Sequence, residues 1–231
     1  MSASLFDRLL SLVVPPLCAV CREPELSGTA VCPICEARLV PLPDPRCDRC
    51  GAPVAVPMAR CPECRGRALT FRSAWAPFAY EATARRLVVA LKARGATRAA
   101  GFMAGQIASR APPSLLQGTL VPVPEHPARR RREGLNQAAL LAQTLARTAG
   151  LPLARVLARR QGSTPQMGLA RRARIANARD SVAVRRQPPA GRLLLIDDVY
   201  TTGATLDACA RALAGAGAHD VAAVTFARAI R

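Results

Sequence analysis

Apolar residues fall into segments that alternate between strand and helix periodicity over most of the chain after residue 70. The run Leu193 to Ile196 is continuously apolar, as in a central parallel strand covered on both faces. The pattern predicts strands at 74–80, 119–124, 155–158, 193–196 and 221–227, and helices at 83–93, 97–110, 136–149, 169–178 and 204–214. This alternation predicts an α/β fold with a parallel sheet.

Two carboxylates and a loop of small residues follow the strand predicted at 193–196. Asp197 and Asp198 stand at its carboxyl end, where open α/β sheets bind ligands. The next segment contains Thr201, Thr202, Gly203, Ala204 and Thr205. Threonine hydroxyls, a flexible glycine and the N-terminus of a helix together suit a phosphate group. An ordinary turn with solvated aspartates is the alternative interpretation.

Eight of the nine cysteines form four CxxC pairs: Cys18 and Cys21, Cys32 and Cys35, Cys47 and Cys50, Cys61 and Cys64. Two such pairs supply four thiolates to one tetrahedral zinc ion and leave no open position, so the spacing predicts two structural zinc sites. Consecutive pairs could share a zinc ion, or the pairs could interleave. Disulfides and a redox-active CxxC are the competing interpretations.

Composition favours zinc over disulfides. No segment reaches the roughly 18 apolar residues of a membrane span, and the apolar stretch Leu5 to Val14 contains Asp7 and Arg8. We therefore expect an amphipathic helix there rather than a secretory signal, and a cytoplasmic protein with reduced thiols. Cys209 stands apart from the pairs and is predicted to be a buried core thiol.

Charge and proline content divide the chain near residue 70. The segment 15–67 contains ten prolines and few large apolar residues, so we predict a small metal-dependent domain at 1–70 and an α/β domain at 71–231. The net charge of +18 lies almost entirely after residue 70, with 25 basic and eight acidic residues. Such a domain attracts polyanions, although an arginine-rich soluble surface explains the charge equally well, and aromatic residues for stacking are scarce.

Residues Leu193 to Thr205 resemble the phosphoribosyl pyrophosphate (PRPP) signature of type I phosphoribosyltransferases. Together with the CxxC pairs, they make the whole chain similar to the ComF family. Further similarity lies in Leu91–Gly95, Val121–Pro124, Gly134–Gln137 and Thr164–Asn177. The chain departs from the family at Glu133, where the family usually has arginine, and at Leu135, where it has an aromatic residue.

This resemblance implies a type I phosphoribosyltransferase sheet preceded by a double zinc ribbon. Asp197 and Asp198 would meet the ribose hydroxyls of PRPP, and Thr201–Thr205 would hold its 5′-phosphate with Mg²⁺ bound nearby. Lys92 matches a lysine of the family and could follow the pyrophosphate. Val121–Pro124 matches a pyrophosphate-binding loop of related enzymes.

Two functions are compatible with this resemblance. One is a PRPP-binding protein linked to DNA uptake in natural transformation, with single-stranded DNA on the basic domain and a helicase-like partner on the ribbons. The other is an active phosphoribosyltransferase that transfers the phosphoribosyl group to a nucleobase or a related nitrogen nucleophile and releases pyrophosphate.

Overall fold

The computed structural model describes residues 16–25, 28–91, 96–125, 136–160 and 182–230. The helices are α1 (Pro33–Ala37), α2 (Pro62–Arg65), α3 (Ala82–Ala90), α4 (Ala96–Arg110), α5 (Gln137–Ala149) and α6 (Ala204–Gly215). The strands are β1 (Ala74–Trp75), β2 (Phe78–Ala79), β3 (Thr119–Pro122), β4 (Leu157–Arg159), β5 (Val182–Val184), β6 (Arg192–Tyr200) and β7 (Asp220–Arg228). The helices predicted at 5–14 and 169–178 lie outside the described residues.

The main sheet is parallel throughout, which confirms the predicted α/β fold class. Its order is β1-β7-β6-β3, and β2 also pairs with β7. The central pair, β6 and β7, is in register from Arg192 opposite Asp220 to Tyr200 opposite Arg228. Helices lie between β2 and β3, between β3 and β4 and between β6 and β7, as crossovers between parallel strands require.

Three strands differ from the sequence prediction. The predicted strand at 74–80 is divided into β1 and β2 at Pro77, whose carbonyl oxygen accepts the Leu42 N–H at 3.0 Å. The predicted strand at 155–158 corresponds to β4, which pairs antiparallel with the unpredicted β5 in a separate sheet. The predicted strand at 193–196 extends to Tyr200, because pairing with β7 continues past the aspartates.

The sheet separates two hydrophobic cores, in keeping with the twofold periodicity of a strand. Leu194 and Ile196 pack in the core that contains the inward residues of α3, α4 and α5. Leu193 and Leu195 pack in the other core, with the buried residues of α6. The cysteines at 18 and 35 belong to the first core, whereas those at 47, 50, 61 and 64 belong to the second. The four CxxC pairs therefore straddle the sheet.

The helix boundaries follow local sequence signals. The Asn136 side chain accepts the Ala139 N–H at 2.9 Å and caps α5, and Gly150 ends that helix in the left-handed conformation. Cys209 is fully buried in α6, as predicted, and burial raises the pKa of its thiol to about 12. No helix within the described ranges combines the length and apolar character needed to cross a membrane.

Candidate functional site

A cavity lies beside the carboxyl-terminal part of β6. Strand β3 accompanies β6 only as far as Pro122, opposite Ile196, whereas β7 accompanies it to Tyr200. Directly after Pro122, the Val123 N–H donates to the Ile196 carbonyl oxygen of β6 at 3.0 Å. The open edge borders a cavity of about 360 Å³. Its lining includes Tyr80, Val88, Val123, Pro124, Glu125, Asn136, Gln137, Ala138, Arg159, Asp197, Asp198, Val199, Thr201 and Thr205.

Both predicted aspartates line this cavity and are partly exposed to it. An Asp197 Oδ1 atom accepts the Asp198 N–H at 2.9 Å. Burial and the neighbouring Asp198 carboxylate raise the pKa of Asp197 well above its usual range; the Asp198 N–H and the Arg159 guanidinium oppose this shift only in part. The pair therefore favours a cation or hydroxyl donors in the cavity.

The loop after β6 leads directly into the N-terminus of α6. Gly203 adopts φ +70°, and a Cβ atom there would lie 2.5 Å from the Tyr200 hydroxyl oxygen, so only glycine fits. Thr202 Oγ1 accepts the Ala204 N–H at 3.3 Å and thus supports the turn. Thr201 and Thr205 line the cavity. The first N–H groups of α6 and its dipole add positive potential at this end.

Sequence reasoning missed several lining residues. Arg159, at the end of β4, donates from Nε to the Pro124 carbonyl oxygen at 3.1 Å. Tyr80 also lines the cavity and was not predicted, whereas Glu125 directly follows the predicted pyrophosphate loop Val121–Pro124. Asn136 carried a usable signal as the cap of a predicted helix, but Arg159 had none within a chain of 33 basic residues. Lys92, Glu133 and Leu135 lie outside the described residues.

The eight paired cysteines form two compact clusters. The first cluster contains Cys18, Cys21, Cys32 and Cys35, and the second contains Cys47, Cys50, Cys61 and Cys64. Within each cluster the ligand sulfurs all lie within 4.8 Å of one another. The geometry thus groups consecutive CxxC pairs and excludes interleaving.

The sulfur separations fit zinc and not disulfides. Four sulfurs about 2.3 Å from a tetrahedral zinc ion lie about 3.8 Å apart. The structure has 3.8 Å between Cys21 and Cys32, 3.7 Å between Cys47 and Cys64, and 3.5 Å between Cys50 and Cys61. A disulfide needs about 2.05 Å. Both clusters are consistent with structural zinc.

Backbone N–H groups point at one sulfur in each cluster. The Val20 and Cys32 N–H groups each lie 3.4 Å from Cys18 Sγ, and the Cys61 N–H lies 3.3 Å from Cys47 Sγ. Burial opposes ionisation of Cys18 and Cys47, but surrounding N–H groups outweigh it and lower their pKa values to about 6 and about 7. These thiols are thus prepared to bind metal as thiolates.

Residues 9–67 match the double zinc ribbon domain. Competence protein F of Haemophilus influenzae is 33% identical over 132 residues, which cover 55% of this chain and 58% of that protein. The chain thus spans less than two thirds of that relative. DNA utilization protein YhgH of Salmonella typhimurium is 29% identical over 91% of this chain and 96% of that protein. Competence protein ComFC of Bacillus subtilis is 36% identical over 47% of this chain and 44% of that protein.

Among solved structures, orotate phosphoribosyltransferase from Aeropyrum pernix resembles this chain distantly. The TM-score is 0.33 and the sequence identity 22%, over 61% of this chain and 62% of that one. The relatives carry competence and DNA utilization names, and the ribbon match coincides with the two four-cysteine clusters. The chain is thus similar to competence and DNA utilization proteins, and its residues 9–67 match the double zinc ribbon domain.

Proposed function

We propose that the cavity beside β6 binds PRPP and that the protein acts as a PRPP-binding member of the ComF family. The observation that carries this proposal is the shared cavity of Asp197, Asp198, Thr201 and Thr205 at the carboxyl edge of the sheet. PRPP carries two neighbouring ribose hydroxyls and a 5′-phosphate. The hydroxyls suit carboxylates that accept their hydrogen bonds, and the phosphate suits a turn that binds anions. The cavity offers both.

Each part of the cavity would recognise a different part of PRPP. The N-terminus of α6 and the hydroxyls of Thr201 and Thr205 would receive the 5′-phosphate. Thr202, Gly203 and Ala204 would shape this turn, because Gly203 and the Thr202 hydroxyl fix its backbone. Asp197 and Asp198 would accept hydrogen bonds from the ribose hydroxyls.

Charge in the cavity favours binding of PRPP with Mg²⁺. The Asp198 carboxylate disfavours ionisation of Asp197, as the raised pKa of Asp197 indicates. Oxygen donors of this kind suit Mg²⁺, which would offset the charge of the pyrophosphate. Arg159 is the cation among the described lining residues, and its guanidinium would contact pyrophosphate oxygens. Lys92 remains a candidate for the same group.

An active phosphoribosyltransferase is the alternative for the same cavity. The bond between ribose C1 and the pyrophosphate oxygen would break, and pyrophosphate would leave with the electron pair. A nitrogen of a nucleobase or related acceptor would form the new bond to C1 and lose its proton. Tyr80, Glu125 and Asn136 line the rest of the cavity and would face the acceptor.

A role in DNA uptake is supported by the relatives and by charge. Similar proteins are named competence and DNA utilization proteins. The net charge of +18 would attract single-stranded DNA to the α/β domain. The zinc ribbons would then remain available to a helicase-like partner. We place these events in the cytoplasm, because free thiol ligands persist in a reducing compartment.

We also propose that both clusters hold zinc for structural purposes. All four ligands in each cluster come from the protein, so no position remains for substrate water. The clusters contribute buried sulfurs to the two cores, and metal would fix segments that have little apolar packing of their own. The assigned domains, 1–70 and 71–231, remain predictions.

Asp198→Asn should reduce the affinity for Mg²⁺-PRPP by about 100-fold or more, because a charged acceptor for the ribose is lost. Titration calorimetry of the zinc-loaded chain measures this change. Asp44→Asn removes the same charge from a residue whose side chain is 81% exposed, and should leave the affinity unchanged. Retained affinity in Asp198→Asn would contradict the assignment of Asp198 to the PRPP site.

A panel of nucleobases added with Mg²⁺-PRPP distinguishes the two functions. Release of pyrophosphate would identify an enzyme, and no release would identify a binding protein.

Zinc content should respond separately to each cluster. The wild-type chain should contain two zinc ions, and either Cys21→Ser or Cys61→Ser should lower this to about one. Cys209→Ser should retain both, since Cys209 is buried in α6 outside the clusters. Elemental analysis by mass spectrometry provides the measurement. A zinc-free wild-type chain would contradict the assignment.

Binding of a single-stranded oligonucleotide should weaken steeply with salt. If three phosphates are neutralised, the affinity should fall about 20-fold between about 50 and 200 mM monovalent salt. Fluorescence anisotropy at a series of salt concentrations measures the slope. An affinity that does not change with salt would exclude binding through the basic surface.

A further inference from the structure

Arg228, the last residue of β7, is a buried cation that contacts the second cysteine cluster. It is 1% exposed. One terminal nitrogen donates to the Cys50 carbonyl oxygen at 2.7 Å. The other lies 2.9 Å from a carboxylate oxygen of Glu63 and 3.7 Å from Cys50 Sγ. A single guanidinium thus joins the end of the sheet to a cluster sulfur and to α2.

The other side of the guanidinium lies on Tyr200. Its central carbon is 4.1 Å from the centroid of the Tyr200 ring, and the two residues are register partners at the ends of β6 and β7. Tyr200 is 2% exposed and meets Phe71 edge-to-face at 6.4 Å. The ring is therefore held from two sides.

Tyr200 in turn limits the shape of the loop that opens α6. The Gly203 backbone passes so close to the phenol end of Tyr200 that a Cβ atom would lie 2.6 Å from ring carbon Cζ. A shift of the ring would displace Gly203 and the N–H groups that follow it. A continuous series of contacts therefore runs from Cys50 through Arg228 and Tyr200 to the loop at 201–205.

We propose that Arg228 is a positioning residue that couples the metal state of the second cluster to the geometry of the loop at 201–205. Zinc on four thiolates carries a formal charge of about −2, which holds the guanidinium at Cys50. Without metal, nothing holds the four sulfurs together, and Arg228 loses this anchor. The first cluster lies in the core on the opposite face of the sheet and supplies a natural comparison.

Hydrogen exchange of the zinc-loaded full chain, measured without ligand, tests this coupling. Arg228→Lys keeps the charge but loses the planar fork and the stacking on Tyr200. We expect exchange of the amides at 201–206 to become about tenfold faster, while the β6 amides at 193–196 keep their protection. Cys61→Ser should have the same effect through the second cluster. Cys21→Ser, its counterpart in the first cluster, should leave the loop unchanged.

Two results would overturn the proposal. One is unchanged loop exchange in Arg228→Lys and Cys61→Ser. The other is an equal rise in the loop and in β6, which would make Arg228 a general stabiliser of the fold. If Arg228→Lys does not fold, Tyr200→Leu interrupts the same series of contacts and should loosen the loop alone.

A reciprocal measurement rests on the proposed function. Mg²⁺-PRPP should slow zinc release from the second cluster to a chromogenic chelator several-fold in Cys21→Ser, where that cluster alone is filled. The added change Arg228→Lys should abolish this effect. An effect that persists with lysine would contradict the role of Arg228. Absence of PRPP binding to the wild-type chain would contradict the proposed function alone, because the ligand-free exchange comparison still decides the coupling.

Discussion

The structure depends on unequal pairing along the two edges of β6. On one edge β7 follows it for its whole length, from Arg192 to Tyr200. On the other edge β3 ends at Pro122, which supplies no N–H, and the chain turns away after Val123. Pairing with β7 therefore keeps the backbone at Asp197 and Asp198 extended, while the opposite edge of β6 faces the cavity. A rigid strand with one free edge is what an exposed binding site on a sheet requires.

Buried charge is the second constraint. A guanidinium removed from water costs several kcal/mol unless its hydrogen bonds and charge are matched. Glu63 and the Cys50 carbonyl oxygen accept hydrogen bonds from the terminal nitrogens of Arg228, and the Tyr200 ring covers its face, whereas its buried Nε has no hydrogen-bond partner among the described residues. The Glu63 carboxylate and the Cys50 thiol thus oppose the effect of burial and raise the pKa of Arg228. The ribbon and the sheet are therefore joined by a polar contact as well as by packing.

Local sequence patterns were sufficient to predict most of the main sheet and the end of β6 at which the candidate site lies. Leu193–Ile196 with Asp197 and Asp198 predicted the strand and the position of the cavity, and Asn136 marked the start of α5. The pattern ended β6 too early because aspartates are depleted in strands, and only the pairing with β7 carries the strand to Tyr200.

Long-range contacts were beyond prediction. Three-residue β5 is too short for a periodic signal, and its partner β4 lies more than 20 residues earlier. Arg228 has no local signature, since a basic residue near a chain end is ordinarily solvated and its contact with Cys50 spans 178 residues. The placement of the two clusters on opposite faces of the sheet also depends on tertiary packing, which CxxC spacing does not specify.

Binding of PRPP in the cavity beside β6 can be observed in a crystal structure of the zinc-loaded chain with Mg²⁺ and PRPP. We expect the 5′-phosphate at the N-terminus of α6, within hydrogen-bond distance of Thr201 and Thr205, and the ribose hydroxyls on Asp197 and Asp198. Density for PRPP on surface arginines with an empty cavity would show that this cavity is not the binding site.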